Sequence, residues 1–213
     1  AEMIWLDNPL PGSTGRICQH PCESQCRRKT VDAPLNIREV HRFISDQVFG
    51  GPLLDEVRTR LAGRRMAATG KKIAIVGAGP SGLAAGFYLA LLGHDVTIHE
   101  AREEAGGMLR YSLPQYRLPK DMLSKELEII AGLGVTFRFG QKLGAGVSLD
   151  VLEAENDAVF LATGTWKATS AGITGEESPS VWHAIHFLEQ VARGEPTQIG
   201  QKVVVIGGGN AAV

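Results

Sequence analysis

Residues 71–100, KKIAIVGAGPSGLAAGFYLALLGHDVTIHE, combine a short apolar strand, a glycine-rich turn, an apolar helix and a second strand. A strand–helix–strand unit of about thirty residues is a usual beginning for a nucleotide-binding domain. The sequence therefore predicts an α/β fold built on a parallel, Rossmann-like sheet.

The turn GAGPSG supplies Gly77, Gly79 and Gly82 in G-x-G-x-x-G spacing. The first glycine permits the tight turn, the second lets the backbone approach a pyrophosphate, and the third lets helix and strand pack closely. The phosphates would lie at the helix N-terminus, where free N–H groups and the helix dipole favour negative charge. Glu100 ends the second strand, 23 residues after Gly77, close to the acidic position that binds a ribose in such folds. A glycine-rich turn without a ligand is the alternative, and the strand, helix and acidic residue around it favour the dinucleotide.

Downstream of this unit the sequence predicts further helices and strands. Residues 120–133 have apolar side chains at helical spacing, and 181–194 form another predicted helix. The apolar segments 135–140 and 157–164 are predicted strands. This alternation of strands and helices is typical of a doubly wound α/β domain.

Upstream of the unit the sequence predicts a small helical region. Apolar residues between Ile37 and Val48 fall on one helix face, Asn36 is a candidate N-cap, and Gly50 ends the helix. A second helix is predicted over residues 53–61, followed by a polar linker.

The last residues, QKVVVIGGGNAAV (201–213), repeat the pattern of a strand and a glycine turn. Gly207, Gly209 and Ala212 have G-x-G-x-x-A spacing, a tolerated variant of the dinucleotide fingerprint. The sequence therefore predicts the first strand and turn of a second, incomplete dinucleotide-binding domain.

All three cysteines lie in RICQHPCESQC, residues 16–26, as Cys18, Cys22 and Cys26. Thiols this close indicate a metal site, and from the residues alone zinc and iron–sulfur are equal alternatives. Zinc would need a fourth ligand, for which His20 and His41 are candidates. An odd number of cysteines argues against a disulfide scaffold and favours a reducing cytoplasm.

The composition is ordinary for a globular protein, with 44% hydrophobic and 21% charged residues and a net charge of −1. This balance argues against a nucleic-acid or membrane-surface partner. The first residues show no secretory signal pattern, and the longest apolar run, residues 83–93, is too short to span a bilayer. We therefore predict a cytoplasmic protein without membrane insertion.

Five segments stand in the order found in one protein family: NPLPGSTGRICQHPCESQCRR (8–28), GAGPSGLAAG (77–86), GGMLRYSLPQYRLPKDML (106–123), LATG (161–164) and VVVIGGGNAAV (203–213). They resemble the small (beta) subunit of glutamate synthase and its relatives, and the N-terminal half of dihydropyrimidine dehydrogenase. The resemblance implies a flavoprotein with two dinucleotide-binding domains, preceded by a small helical iron–sulfur domain. It divides the chain into a cysteine-containing domain over 1–69, an FAD-binding Rossmann-like domain over 70–199, and the start of an NAD(P)H-binding domain over 200–213.

The resemblance also implies which residues contact each dinucleotide. For FAD they are the glycine turn, the acidic strand end, the second glycine loop and four later positions: Gly77, Ala78, Gly79, Pro80, Ser81, Gly82, Glu100, Gly107, Met108, Arg117, Leu143, Thr163 and Gly164. For NAD(P)H they are Gly207, Gly209, Asn210, Ala211 and Ala212. A surface arginine without a cofactor contact is the alternative for Arg117.

In the family the cysteine segment belongs to a domain with two 4Fe–4S clusters, and an upstream segment supplies most other ligands. By this resemblance Cys18 and Cys22 serve one cluster and Cys26 the other. His41 is a further candidate ligand because it falls where the dehydrogenase uses a glutamine, and the alternative is a core histidine bonded to backbone. Since the chain begins just before NPLP and stops inside the second glycine motif, we expect it to be part of a longer protein.

The implied activity is electron transfer, in which NAD(P)H reduces FAD and electrons pass singly to iron–sulfur clusters and a partner subunit. No catalytic acid or base is required, and the histidines at 94, 99, 183 and 186 have no nucleophile partners. The alternative function is a non-catalytic assembly or zinc-binding module that has lost redox activity.

Overall fold

The computed structural model describes residues 2–212, and its N-terminal part is helical. The helices are α1 (Glu2–Asp7), α2 (Pro11–Ile17), α3 (Pro21–Ser24), α4 (Ile37–Phe49) and α5 (Leu53–Gly63), with a 3-10 turn over Arg27–Thr30. Sequence periodicity predicts α4 and α5 but not α1 to α3, because helices of four to seven residues are too short to show a repeat.

A four-stranded parallel sheet follows, in the order β3–β2–β1–β4. Its strands are β1 (Lys72–Val76), β2 (Asp95–His99), β3 (Thr136–Arg138) and β4 (Ala158–Leu161). The strands predicted between residues 71 and 164 therefore form, and the predicted α/β, Rossmann-like fold is confirmed.

Five further helices flank the strands: α6 (Pro80–Leu91), α7 (Met108–Tyr111), α8 (Lys120–Gly132), α9 (Leu149–Glu155) and α10 (Ala184–Arg193). Helix α6 is the crossover between β1 and β2, and its Leu83 and Phe87 are fully buried. A Cβ atom on Gly86 would lie 2.9 Å from Cδ1 of Ile98, so glycine lets the helix pack closely against this side chain. The crossover places the N-terminus of α6 at the carboxyl end of β1, where this class of fold binds ligands.

One apolar cluster extends from the N-terminal helices to one face of the sheet. It includes Trp5 and Leu61 from the helical region, Ile75 and Ile98 from the sheet, and Leu123 from α8, all fully buried. The helical region therefore packs directly against the dinucleotide-binding unit and shares its core.

The other face of β1 carries a smaller cluster. Ala74 and Val76 point to this face because successive strand residues alternate sides, and they pack with Leu152 of α9. The sheet is thus covered on both faces, as in other open α/β folds.

Only the C-terminal half of the apolar face of α4 is buried. Val48 is fully buried, whereas Ile37 and Val40 are 38% and 50% exposed. Asn36 precedes the helix without a side-chain cap hydrogen bond. The beginning of α4 therefore presents apolar side chains to solvent beside the cysteine segment, whose Cys18 carbonyl accepts a hydrogen bond from Arg38 at 3.3 Å.

The second glycine motif does not form the strand that the sequence predicts. Val203 to Ile206 pair with no strand among residues 2–212, and Val204 is 87% exposed. A strand is stabilised by hydrogen bonds to a neighbouring strand and by burial of one face, and this segment has neither. The strand prediction is therefore wrong for the chain as described.

The helices are of moderate length. Helices α4 and α8 have 13 residues each. Between residues 2 and 212 no helix is both long and apolar enough to cross a membrane.

Candidate functional site

The turn between β1 and α6 is closed on its inner side and open on its outer side. A Cβ on Gly77 would lie 2.3 Å from the Ala162 carbonyl oxygen, and one on Gly82 would lie 1.9 Å from the Gly77 carbonyl oxygen. A Cβ on Gly79 would meet no heavy atom within 4 Å. The free space at Gly79, at the N-terminus of α6, suits the pyrophosphate of a dinucleotide.

The second glycine loop lies directly against this turn. A Cβ on Gly107, whose φ is +53°, would lie 2.8 Å from the Gly79 Cα atom. The N–H group of Gly106 donates to the Ala78 carbonyl at 2.8 Å. The structure thus brings the loop of Gly106 and Gly107 against the first glycine turn, and the FAD contacts of Gly107 and Met108 stay predictions.

Glu100 is buried behind the turn and holds it in place. Its Oε2 accepts a hydrogen bond from the Ala78 N–H at 2.7 Å, and its Oε1 accepts one from the Arg102 N–H at 2.9 Å. A carboxylate offers about four acceptor positions, so these two contacts leave capacity for ribose hydroxyls. The predicted ribose contact stays a prediction, and support of the turn is a role that sequence reasoning missed.

The segment after β4 closes the turn from the other side. The Ala162 N–H donates to the Val76 carbonyl at 2.8 Å, and the Ala162 carbonyl is the group that excludes a side chain at Gly77. Thr163 and Gly164 follow directly at this edge of the sheet. Leu143 lies instead beside the small cluster around Leu152.

Arg102 ties the chain after β4 to this region. Its guanidinium carbon lies 3.5 Å from the centre of the Trp166 ring, and its Nε lies 2.9 Å from Oε1 of Glu189 on α10. Arg193 also pairs with Glu189, at 3.1 Å. This stacked arginine holds α10 next to the end of β2.

Arg117 lies on a surface cavity of about 360 Å³ beside the cysteine segment. Its other lining residues are mostly polar or charged: Gly15, Arg16, Arg38, Glu39, Arg42, Tyr116 and Pro119. The side chain is exposed, and the predicted flavin contact of Arg117 stays a prediction.

The three cysteines stand apart as separate thiol donors. Cys18 and Cys22 are exposed, and Cys26 is partly buried. Backbone hydrogen bonds from Leu35, and then Arg28, lower the pKa of Cys26, which favours its thiolate. Among residues 2–212 no three His, Cys, Asp or Glu side chains are grouped closely enough to hold a metal ion. The described residues bring together four ligands neither for structural zinc nor for a 4Fe–4S cluster.

His41 is partly buried, and its Nδ1 lies 3.2 Å from Nδ2 of Asn8. The Asn8 amide also donates to Thr14 Oγ1 at 2.7 Å. With the amide as donor, Nδ1 is the acceptor and the ring hydrogen is on Nε2, so neither nitrogen has a free lone pair. This contact disfavours His41 as a metal ligand, and it gives the ring a side-chain partner where the alternative interpretation had a backbone one.

The residues of the second glycine motif lie in an exposed segment, where Gly207 has a φ of +126°, close to the +107° of Gly77. The other four predicted contacts, Gly209, Asn210, Ala211 and Ala212, form a turn in which the Ala212 N–H donates to the Gly209 carbonyl at 2.9 Å. The local turn therefore forms without the strand that should precede it.

Two charged residues on α8, one buried and one half-buried, were not predicted. Glu126 is fully buried with a pKa raised to about 7 by burial, and Lys120 has a pKa lowered to about 8 by burial and then by Arg110. The available signal was a carboxylate on the apolar face of the predicted helix, between Leu123 and Ile130.

The fold and the glycine cradle define a dinucleotide-binding protein with a cysteine-bearing helical region. Residues 71–213 match the family model of the pyridine nucleotide-disulphide oxidoreductases, and the chain belongs to this family. Residues 1–50 match the model described as dihydropyrimidine dehydrogenase domain II, 4Fe–4S cluster. Together the two matches confirm the predicted cofactor classes, namely FAD, NAD(P)H and 4Fe–4S.

Named relatives agree with this assignment. The chain is 40% identical over 217 residues to the beta subunit of NADPH-Fe(3+) oxidoreductase from Geobacter sulfurreducens, covering 100% of this chain and 31% of the relative. It is 33% identical over 226 residues to the glutamate synthase [NADPH] small chain of Escherichia coli, covering 100% and 47%. Mycobacterium tuberculosis FprA in complex with NADPH superposes with a TM-score of 0.53 at 26% identity, covering 56% of this chain and 28% of FprA. The predicted resemblance to the glutamate synthase small subunit is confirmed, and the chain spans between about a third and a half of the two sequence relatives.

Proposed function

We propose that this protein is an FAD-dependent oxidoreductase subunit that transfers electrons between NAD(P)H, iron–sulfur clusters and a partner subunit. The observation that carries the proposal is the cradle around Gly79. Backbone atoms exclude any side chain at Gly77 and Gly82, while the space in front of Gly79 is free for a ligand. Glycine destabilises the helix or strand in which it lies, because it loses more conformational freedom on folding than other residues. The close approach of a ligand to the backbone is a reason for glycine at these positions.

In this proposal FAD lies along the cradle. The N–H groups of residues 77–82 bind the pyrophosphate, and Glu100 binds the ribose. Five residues lie along the remainder of the cofactor: Gly107, Met108, Arg117, Thr163 and Gly164. Leu143 is a more distant candidate because it packs with the small cluster. Bound FAD supplies the chemistry of accepting two electrons together and releasing them singly.

The second glycine motif is the proposed NAD(P)H site. Its five residues are Gly207, Gly209, Asn210, Ala211 and Ala212, and Gly207 already has the torsion of a phosphate-binding turn. Both sequence relatives carry NADPH in their names, which supports NADPH as the nucleotide.

The cysteine segment is the proposed iron–sulfur region, with Cys18 and Cys22 serving one cluster and Cys26 another. Because His41 is held by Asn8, we expect the missing ligands to come from elsewhere. Both sequence relatives are named as one subunit or chain of an enzyme, which supports a partner subunit here. Three unpaired cysteines support a cytoplasmic location.

Anaerobic purification of the full-length protein tests the proposal. A flavin band that bleaches with NADPH, together with bound iron, is the expected result. A colourless protein, or one with zinc and no flavin, would instead support the alternative of an assembly or zinc-binding module.

A matched pair of substitutions tests the cradle itself. Gly79→Val adds a side chain to the free space, where its Cβ would meet no heavy atom within 4 Å, so it should fold and lose FAD. Gly209→Val, in the second motif, should keep FAD and weaken only nucleotide binding. Retention of FAD by Gly79→Val would contradict the proposed site.

A further inference from the structure

We infer that α8 is the spacer that sets the position of the cysteine segment relative to the flavin-contacting loop, with Glu126 and Lys120 as its two positioning residues. This inference rests on the function proposed above. Each residue is a buried or half-buried charge on α8, and each binds backbone groups of a different part of the site.

Glu126 binds the first turn of the helix that leads to the cysteines. Its Oε1 accepts hydrogen bonds from the Gly12 and Ser13 N–H groups at 2.6 and 3.1 Å, and its Oε2 accepts one from the Ser13 hydroxyl at 2.5 Å. Ser13 and Glu126 are both fully buried. The carboxylate therefore has donors at both oxygens, which makes this a directional contact.

Helices α2 and α8 approach each other closely at Gly12. A Cβ on Gly12 would lie 2.7 Å from Met122 Sδ and 3.1 Å from Glu126 Oε1. Arg16 lies one turn further along α2, and its positive charge lowers the pKa of Glu126, against the larger effect of burial. Helix α2 ends at Ile17, and Cys18 is its C-cap, so a shift at Ser13 moves the first thiol.

Lys120 binds the opposite part of the site. Its Nζ donates to the carbonyls of Leu109 and Leu113 at 2.7 and 2.6 Å. Leu109 belongs to α7, the short helix that begins at Met108, beside the second glycine loop. Lys120 and Glu126 are six residues apart on one helix, about 9 Å at the helical rise. Helix α8 thus connects the predicted flavin contact to the cysteine segment through two side chains, the half-buried Lys120 and the buried Glu126.

Glu126→Gln in the full-length protein tests the inference, because it keeps the shape of the side chain but replaces one acceptor oxygen by an amide donor. Above pH 7, where Glu126 is ionised, hydrogen exchange at residues 12–18 should become about tenfold faster, since in the variant the Gly12 and Ser13 N–H groups bind a neutral amide oxygen instead of a charged one. Ser13→Ala should give a smaller increase. Glu128→Gln, an exposed position on the same helix paired with Arg58, is the matched control and should change nothing.

The second readout follows electrons after NADPH is added. In Glu126→Gln the flavin should bleach at a rate within about twofold of that of the unsubstituted protein. The iron–sulfur EPR signal should appear about tenfold more slowly, as when other residues that orient metal ligands are replaced. Leu152→Ala destabilises the core on the other face of the sheet and is the control for lost stability. It should leave the rate at which the EPR signal appears unchanged.

Several outcomes would overturn the inference. Exchange in Glu126→Gln equal to that in Glu128→Gln removes the proposed contact. Faster exchange with an unchanged EPR rate, or equal slowing in Leu152→Ala, removes the positioning role. A natural protein with neither flavin nor iron instead overturns the proposed function itself, and the positioning role with it.

Discussion

The chain contains the glycine fingerprint twice, at residues 77–82 and 207–212, and the two copies have very different surroundings. Gly77 and Gly207 share a left-handed φ, +107° and +126°. Yet β1 is paired on both sides and buried, whereas Val203 to Ile206 are exposed and pair with no strand among residues 2–212. The glycine pattern therefore specifies a turn, while neighbouring strands and a buried acid make it a binding site.

The largest expected difference between the copies is in their apolar strands. Ile75→Ala should lower the free energy of unfolding by about 4 kcal/mol, because Ile75 is fully buried and a cavity remains. Ile206→Ala should change it by less than about 0.5 kcal/mol, because Ile206 is exposed. Urea unfolding of the 213-residue chain measures both values. Equal losses would mean that the second segment is folded in solution, and the contrast between the copies would disappear.

The next contrast is between one glycine of each turn, Gly82 and Gly209, because the third position of the second copy is already alanine, Ala212. Gly82→Ala should cost about 3 kcal/mol, because the added Cβ would lie 1.9 Å from the Gly77 carbonyl oxygen and the backbone must shift. Gly209→Ala meets nothing within 4 Å and should be nearly neutral. Thermal unfolding of the two variants side by side checks this pair. A neutral Gly82→Ala would show that the first turn is as loosely held as the second.

A further difference between the copies is Glu100, the buried acid behind the first turn. Glu100→Gln should cost about 2 kcal/mol and weaken FAD binding, because an amide cannot accept from both the Ala78 and Arg102 N–H groups. Glu103→Gln, an exposed neighbour, is the control. Urea unfolding and FAD titration measure the two effects. FAD affinity that falls without loss of stability would assign Glu100 to the ribose alone and remove its support of the turn.

The smallest effect is a pH dependence that only the first copy should show. Burial, and then Arg138, lower the pKa of His99 below its ordinary 6.5. At this histidine the unfolded chain therefore binds a proton more readily than the folded one, so the contribution of His99 to stability falls as the pH drops below about 6.5 and is constant above it. His99→Phe should remove this acid-sensitive part. Unfolding curves on either side of that pH check it, and identical slopes for both proteins would rule it out.

Sequence reasoning located the elements whose signals are local. Strand, turn and helix over residues 71–100, the helix at α4 and the strand β4 all follow from short-range patterns. These features were predictable because each depends on residues close together in the chain. The cofactor contacts of the second glycine loop and of Thr163 were taken from the family resemblance, and they stay predictions.

The features that sequence reasoning missed depend on distant residues. Ser13 and Glu126 are 113 positions apart, and Arg102 and Glu189 are 87 apart. A glutamate on an apolar helix face shows that a partner is needed but not which one. Conversely, Val203 to Ile206 have the composition of a buried strand, but no neighbouring strand among the described residues pairs with them. The local signal there predicted a strand that the described chain does not form.

The stack of Arg102 on Trp166 makes Trp166 an intrinsic fluorescence probe of this region. Of the protein's three tryptophans, Trp5 is fully buried among the helices and Trp182 is 41% exposed, while Trp166 lies with a guanidinium 3.5 Å from its ring centre. A cation over an indole face changes the electronic environment of the ring. With Trp5 and Trp182 replaced by phenylalanine, the emission of Trp166 would report, without a label, any change in its stack with Arg102.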